Sequence, residues 1–145
     1  MPNVLFDTSI FIAYKPMKPP AGFLMSAVVI QELAAGAADN SILQGLNASR
    51  LAYERNGKLV VPMSEDWWLA GKVLYSLFRG LKSKSTRRTL RIGKFEQQRI
   101  IRDVLIARSA RRENALLVTN NVSDFIKIKQ FCNVKFVSGR DYFGR

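Results

Sequence analysis

Four carboxylates, Asp7, Glu32, Asp103 and Asp124, each stand where an apolar run ends or a helical pattern opens. The chain around them is strongly basic, with 23 lysines and arginines against 11 aspartates and glutamates, a formal charge of +12 and no histidine. Without histidine the usual neutral-pH proton shuttle is missing, and with it go Ser-His-Asp and Cys-His nucleophile systems, His-containing zinc sites and paired-histidine ribonuclease chemistry. A hydrolase made from this chain has to work with carboxylates and a hard metal. Mg2+ suits such a set, because it takes oxygen ligands, keeps several waters and is held by a few carboxylates together with substrate phosphate. Clustered like charges are costly unless a cation sits among them, so the acids make sense as a set only with metal. The ion would lower the pKa of a bound water, align it with a scissile phosphorus and neutralise charge on the leaving oxygen. The positive charge of the whole chain favours a nucleic-acid ligand over a small neutral one, and an anionic membrane surface is the other polyanion it would fit.

The elements that position these acids follow from the apolar pattern. Val4-Leu5-Phe6 runs into Asp7, and Phe23-Leu24-Met25 precedes Ser26, whose hydroxyl suits an N-cap for a helix through Val28, Val29, Glu32 and Leu33. Residues from about Asp39 to Asn56 read as a helix with Ile42, Leu43, Leu46 and Leu51 on its apolar face. Asn56-Gly57 turns the chain into Leu59-Val60-Val61, and Ser64 opens a helix to about Phe78. A helix from Gln97 to Asn114 precedes Leu116-Leu117-Val118-Thr119, and a short helix around Phe125 to Gln130 precedes Val134-Lys135-Phe136-Val137. Short strands alternating with helices indicate an α/β fold, a central parallel sheet of four to five strands with helices on both faces. Ligands of such sheets bind at the carboxyl ends of the strands. Asp7 and the loop from Thr119 to Asp124 belong there, with Glu32 and Asp103 expected in the first turns of their helices.

The length of 145 residues with 48% apolar content fits one domain spanning residues 1 to 145. A sole cysteine, Cys132, rules out an internal disulfide, and the start at Met1-Pro2-Asn3 lacks the pattern of a signal peptide, which predicts a reducing cytoplasm. The longest apolar stretch, from Ala21 to Ile30, is well short of the ~20 residues a membrane-spanning helix needs.

Residues 81 to 94 read as a basic, irregular loop insertion. Lys82, Lys84, Arg87, Arg88, Arg91 and Lys94 have no acid among them, and the neighbouring serines and threonines also donate to phosphate oxygens. A solvated loop is the plainer reading. No aromatic residue lies between Leu81 and Lys94, which favours backbone contact over base stacking. Trp67-Trp68, with Leu69, Val73 and Leu77, read as core or subunit interface.

Taken together, Leu5-Phe6-Asp7-Thr8-Ser9, Val29-Ile30-Gln31-Glu32-Leu33, Asp103-Val104-Leu105-Ile106-Ala107 and Val118-Thr119-Asn120-Asn121-Val122-Ser123-Asp124-Phe125 resemble, in order and spacing, the PIN-domain ribonucleases, particularly the VapC-type toxins of toxin-antitoxin pairs. The resemblance runs from residue 4 to about 137 and implies a single PIN-like domain. It implies that Asp7, Glu32, Asp103 and Asp124 hold Mg2+ or Mn2+ for endoribonuclease cleavage of RNA, with Ser9, Thr119 and Asn121 as supporting polar residues. Asn121 stands where many PIN domains carry a further Asp, which implies one tightly held metal and a weaker second position. A cognate antitoxin whose C-terminal segment enters the groove, commonly with an Arg reaching the acids, and a homodimer are the partners implied.

Each acid alone has an ordinary alternative: Asp7 a turn residue, Glu32 a solvated helix residue, Asp103 a helical partner of Arg99, Asp124 an N-cap. Independent surface acids have no reason to fall at matching topological positions, which is why the joint order favours a metal site. A noncatalytic nucleic-acid-binding domain is the rival from another class, and a structure-selective DNA nuclease the rival within the fold. A haloacid-dehalogenase-type phosphatase fits poorly, since Ser9 stands where its second Asp belongs, as does a response-regulator receiver, which wants an acidic pair at the first strand end.

Overall fold

Val4, Leu5 and Phe6 are consecutive in an extended segment, and all three are buried. Successive strand side chains point to opposite faces, so this strand is covered on both sides, as in a parallel sheet between helical layers. The computed structural model describes residues 2–15, 18–84 and 94–144, with the backbone alone for 80–84. The order of elements is β1 (Val4–Phe6), α1 (Thr8–Ala13), β2 (Phe23–Ser26), α2 (Ala27–Ala35), α3 (Asn40–Arg55), β3 (Leu59–Val60), α4 (Ser64–Lys84), α5 (Lys94–Arg112), β4 (Leu116–Thr119), α6 (Val122–Lys129), β5 (Phe136–Ser138) and α7 (Gly139–Phe143).

The sheet has five strands in the order β3-β2-β1-β4-β5, and every pairing is parallel. From β1 the chain winds outward through β2 and β3, then returns to add β4 and β5 on the other side of β1. The winding direction therefore reverses between β1 and β4. Loops at such a reversal diverge to opposite faces and leave a crevice at the carboxyl strand ends. Pairing of Phe6 with Val118 sets the next residues, Asp7 and Thr119, side by side at the mouth of that crevice.

Local sequence explains the frame. Ser26 caps α2 by accepting from the backbone N–H groups of Val28 and Val29, and Asp39 caps α3 by accepting from that of Ile42. Phe6 lies 5.1 Å from the Phe23 ring and 5.7 Å from that of Phe143, so the short α7 closes over the sheet through its aromatic side chains.

Four expectations are corrected. Helix α3 has the predicted bounds but no buried residue, and Ile42, Leu43 and Leu51 of its apolar face are exposed, since α3 packs mainly on α2 rather than under the sheet. The 81–94 stretch is not irregular throughout: α4 continues to Lys84, six residues past Phe78, and α5 already begins at Lys94, where good helix formers extend both patterns. Trp67 and Trp68 are 59% and 70% exposed and so are not core, while Val73 on the same helix is buried. The early start of α5 also moves Asp103 from a first turn to the helix middle. Arg87, Arg88 and Arg91 lie outside the described residues, as do the side chains of Lys82 and Lys84; Lys94 is exposed. Among the described residues no helix is long and apolar enough to cross a membrane.

Candidate metal centre

Asp7 ends β1 and precedes α1, a place that buries its carboxylate to 1% exposure beneath the crevice. Burial pushes its pKa above the ordinary carboxylate value, and the hydroxyls of Ser9 and Thr119 pull the other way. Ser9 Oγ donates to Oδ1 at 2.5 Å, and Thr119 Oγ1 donates to Oδ2. Each hydroxyl is aimed from behind by a backbone N–H: that of Asn120 donates to Ser9 Oγ at 2.9 Å and that of Asn121 to Thr119 Oγ1 at 2.9 Å. A hydroxyl that accepts from an amide turns its own proton away from it, here toward Asp7. The loop after β4 thus orients both Asp7 oxygens through Ser9 and Thr119. Asn121 enters this network through its backbone, and its side chain makes no cap bond to α6.

The other three acids approach from three helices. Asp103, in the middle of α5, is 5% exposed, and its Oδ2 is buried without a hydrogen-bond partner. Its pKa is pushed up to about 8, first by burial, then by the charges of Asp7, Asp124 and Glu32, against a smaller opposing pull from Arg99. Asp7, Asp124 and Glu32 thus lie near enough for their charges to act on Asp103. Glu32 on α2 is half-buried and likewise raised by burial, offset by the Arg102 guanidinium. Asp124, in the first turn of α6, is 6% exposed.

Two arginines of α5 reach the flanking acids. Arg99 Nε donates to Asp124 Oδ2 at 2.9 Å, and Arg102 Nε stands 3.2 Å from Glu32 Oε2 without an aligned hydrogen bond. Arg99 therefore pairs with Asp124, not with its helical neighbour Asp103. Sequence reading passed over these two cations as site residues; their signal was their place within one turn of Asp103. It also missed Gly139. A Cβ there would come within 2.6 Å of Asn120 Oδ1 and 2.7 Å of Tyr14 Cε2, so the loop that aims the two hydroxyls rests on a position with no room for a side chain.

The cluster supplies only carboxylate and hydroxyl oxygens, a donor set matched to a hard divalent cation. Among the described residues no three acids form a ready cation cage. Glu32 and Asp124 stand in ion pairs with arginines, while no ion pair forms to Asp7 or Asp103 among the described residues.

No protein-family model and no curated protein matches the chain. Solved structures do. The chain is similar to one of VapBC-1 from nontypeable Haemophilus influenzae at 24% identity and TM-score 0.56, over 93% of this chain and 96% of that one. It is similar to a chain of VapBC2 from Rickettsia felis, solved with a DNA fragment from its promoter, at 21% identity and TM-score 0.53, over 94% and 98%. A third likeness is to VapBC-5 from Mycobacterium tuberculosis, a member of the VapBC family of toxin-antitoxin systems, at 20% identity and TM-score 0.53, over 95% and 99%. At these identities the likeness is one of fold, and the chain is built as a PIN-like α/β domain with the architecture of those VapBC chains.

Proposed function

We propose that this protein is a metal-dependent endoribonuclease and the toxin of a toxin-antitoxin pair. The observation that carries the reading is the convergence of three carboxylates on a fourth, Asp103, whose buried Oδ2 has no partner. A fold gains nothing by gathering four acids at a crevice, whereas a phosphodiesterase without histidine needs such a donor set. Asp7, Asp103, Glu32 and Asp124 are the residues that would hold Mg2+ or Mn2+. When bound, the ion supplies an activated water and charge neutralisation at the scissile phosphate.

The chain's own residues do the rest. Ser9 and Thr119 fix the Asp7 carboxylate so that its oxygens need no reorganisation when substrate arrives. Asp103 holds a proton near neutral pH while the cluster is without cation, and gives it up as a ligand. Arg99 and Arg102 offset the charge of Asp124 and Glu32 and stand ready to contact phosphate. The net charge of +12 draws the strand in.

The antitoxin belongs to the same reading. An apolar groove of about 570 Å3, lined by Phe11, Ile12, Leu33, Ile42 and Tyr53, runs up to Glu32. The exposed Ile12 and Ile42 that flank it would be covered by apolar side chains of a bound peptide, and an arginine of that peptide would reach the acids beyond. A homodimer is the oligomeric state that goes with this reading.

The test is RNA cleavage by the purified chain with Mg2+ or Mn2+, with chelator and DNA as parallel arms. Asp7→Asn should abolish cleavage and leave the fold intact. Expression of the parent alone should slow growth and that of Asp7→Asn should not. Parent-like cleavage by the variant, or indifference to chelator, removes the reading; preference for structured DNA moves it to a DNA nuclease; harmless expression of folded, metal-loaded parent favours a noncatalytic binder.

A further inference from the structure

On another side of α5 from the acids, the molecule has a second depression that the proposed chemistry leaves unused. It is a cleft of about 520 Å3 between α4, the C-terminal half of α5 and Phe131 after α6. Lys72, Arg108, Arg111 and Arg112 line it, with Glu65 as the one acid. The four cations differ in what they already hold. Arg112 is fully engaged: Nε donates to Asp66 Oδ2 at 2.8 Å, one terminal nitrogen to Glu113 at 2.8 Å and the other to the Val61 carbonyl at 3.1 Å. It is a wall of the cleft, pinning a fully buried Asp66. Among the described residues, Lys72, Arg108 and Arg111 have no carboxylate partner, and the buried Arg108 Nε has no hydrogen-bond acceptor at all. Arg108 and Arg111 otherwise face the Cys132 thiol, a weak acceptor.

A buried guanidinium donor without an acceptor is costly, and cations gathered in a concave site repel one another unless an anion joins them. The opening is far larger than one water, and its donors are the types that grip phosphate oxygens. Exposed aromatics lie beside it. Trp68 stands one helical turn before Lys72 and is well exposed on α4, and the exposed Phe131 lines the opening, whereas Tyr75, three residues after Lys72, already carries the Arg79 guanidinium over its ring at 5.3 Å. Cations for the backbone with aromatics for the bases are the elements of a single-strand platform. Arg108 and Arg111 follow Asp103 by five and eight positions, a rise of ~7 to 12 Å along the helix and a rotation of roughly 140° and 80° around it, so a strand that meets both cleft and acids passes around α5.

We propose that this cleft is a second phosphate-binding site, in which Lys72, Arg108 and Arg111 hold the sugar-phosphate backbone of an RNA strand away from the point of cleavage. The proposal rests on RNA being the substrate, and its ligand chemistry, a phosphate group, is shared with free phosphate.

The experiment uses the full chain carrying Asp7→Asn, so that RNA stays whole. Both tryptophans of the protein, Trp67 and Trp68, lie at this end of α4, so their fluorescence reports on the cleft. A short single-stranded RNA and, separately, inorganic phosphate are titrated across a range of salt. Against this background the triple change Lys72→Gln, Arg108→Gln, Arg111→Gln should weaken RNA roughly tenfold or more and flatten the salt slope by up to ~2, at ~0.7 for each phosphate no longer neutralised. Because Arg108 is half-buried, the double change of the exposed Lys72 and Arg111 is made as well, with about two-thirds of that loss of slope expected. If phosphate quenches the parent and not the variants, the cleft takes free phosphate as well as the strand; if only RNA does, it is a strand site alone. Unchanged RNA affinity and salt slope in a folded variant overturn the proposal, whatever phosphate does. Cleavage by the protein with Asp7 intact is read separately: a chain that binds RNA through the cleft and never cleaves it keeps the cleft and loses the nuclease.

Discussion

Thr119 and Asp7 are 112 positions apart in the chain, yet the Thr119 hydroxyl donates to the Asp7 carboxylate across the two central strands. The parallel register of β1 and β4 makes them neighbours, and the amide of Asn121 sets the hydroxyl's direction. The contact lies at the point where the winding of the sheet reverses, so the fold itself delivers an oriented carboxylate to the crevice.

Replacing Thr119 with Val keeps the shape and removes the hydroxyl. The Asn121 N–H then loses its acceptor and Asp7 one of its donors, for an expected loss of about 1 to 2 kcal/mol in denaturant unfolding. Cleavage should fall by tenfold or more, while Thr119→Ser should recover most of both. Equal behaviour of the Val and Ser variants would mean that the hydroxyl does not position Asp7.

The pKa of Asp103, raised to about 8, ties stability to pH in a stated direction. The folded state holds this proton more tightly than the unfolded one, so its contribution is fully present below about pH 4 and is lost as pH rises through 8. The raised values of Asp7 and Glu32 act in the same sense. In chelator, Asp103→Asn should melt higher than the parent at pH 8, with the advantage shrinking toward pH 4. An advantage that grows toward low pH would show that Asp103 is stabilised in its charged form.

Adding Mg2+ at about a hundred times its Kd should stabilise the parent by ~2.7 kcal/mol, and Asp7→Asn should lose most of that gain. Arg99→Gln frees Asp124 from its ion pair. Because Arg99 is nearly half exposed, the metal-free protein should lose no more than ~1 kcal/mol, and Mg2+ should bind more tightly. Weaker Mg2+ binding by calorimetry would instead make Arg99 the residue that holds Asp124 in place.

Aromatic residues divide sharply between core and surface. Phe6 is 1% exposed and Trp68 is 70% exposed. Phe6→Ala should cost ~3 to 5 kcal/mol, whereas Trp68→Ala should stay within ~0.5 kcal/mol. A Trp68 variant as destabilised as the Phe6 variant in chemical denaturation would place that ring in a buried interface.

The linear sequence determined the alternation of short buried strands with helices, because β1 and β4 are continuous apolar runs and Ser26 and Asp39 are local caps whose hydrogen bonds close within three residues. It also placed Asp7 at a strand end, Glu32 within the helix after β2 and Asp124 at the opening of a later helix. What it left open is whatever depends on distance across the fold. The bond from Thr119 to Asp7, the choice of Asp124 rather than Asp103 as the partner of Arg99, and the close packing of Gly139 under Asn120 all follow from register and helix packing, which no local pattern encodes. Tertiary structure alone likewise decided that the apolar faces of α3 and Trp68 meet solvent, because a helix pattern reports which side is apolar and not what covers it. The convergence of the acids is of the same kind: a carboxylate has nearly the same chemistry on any helix, and only the winding of the sheet around β1 brings three of them to bear on Asp103.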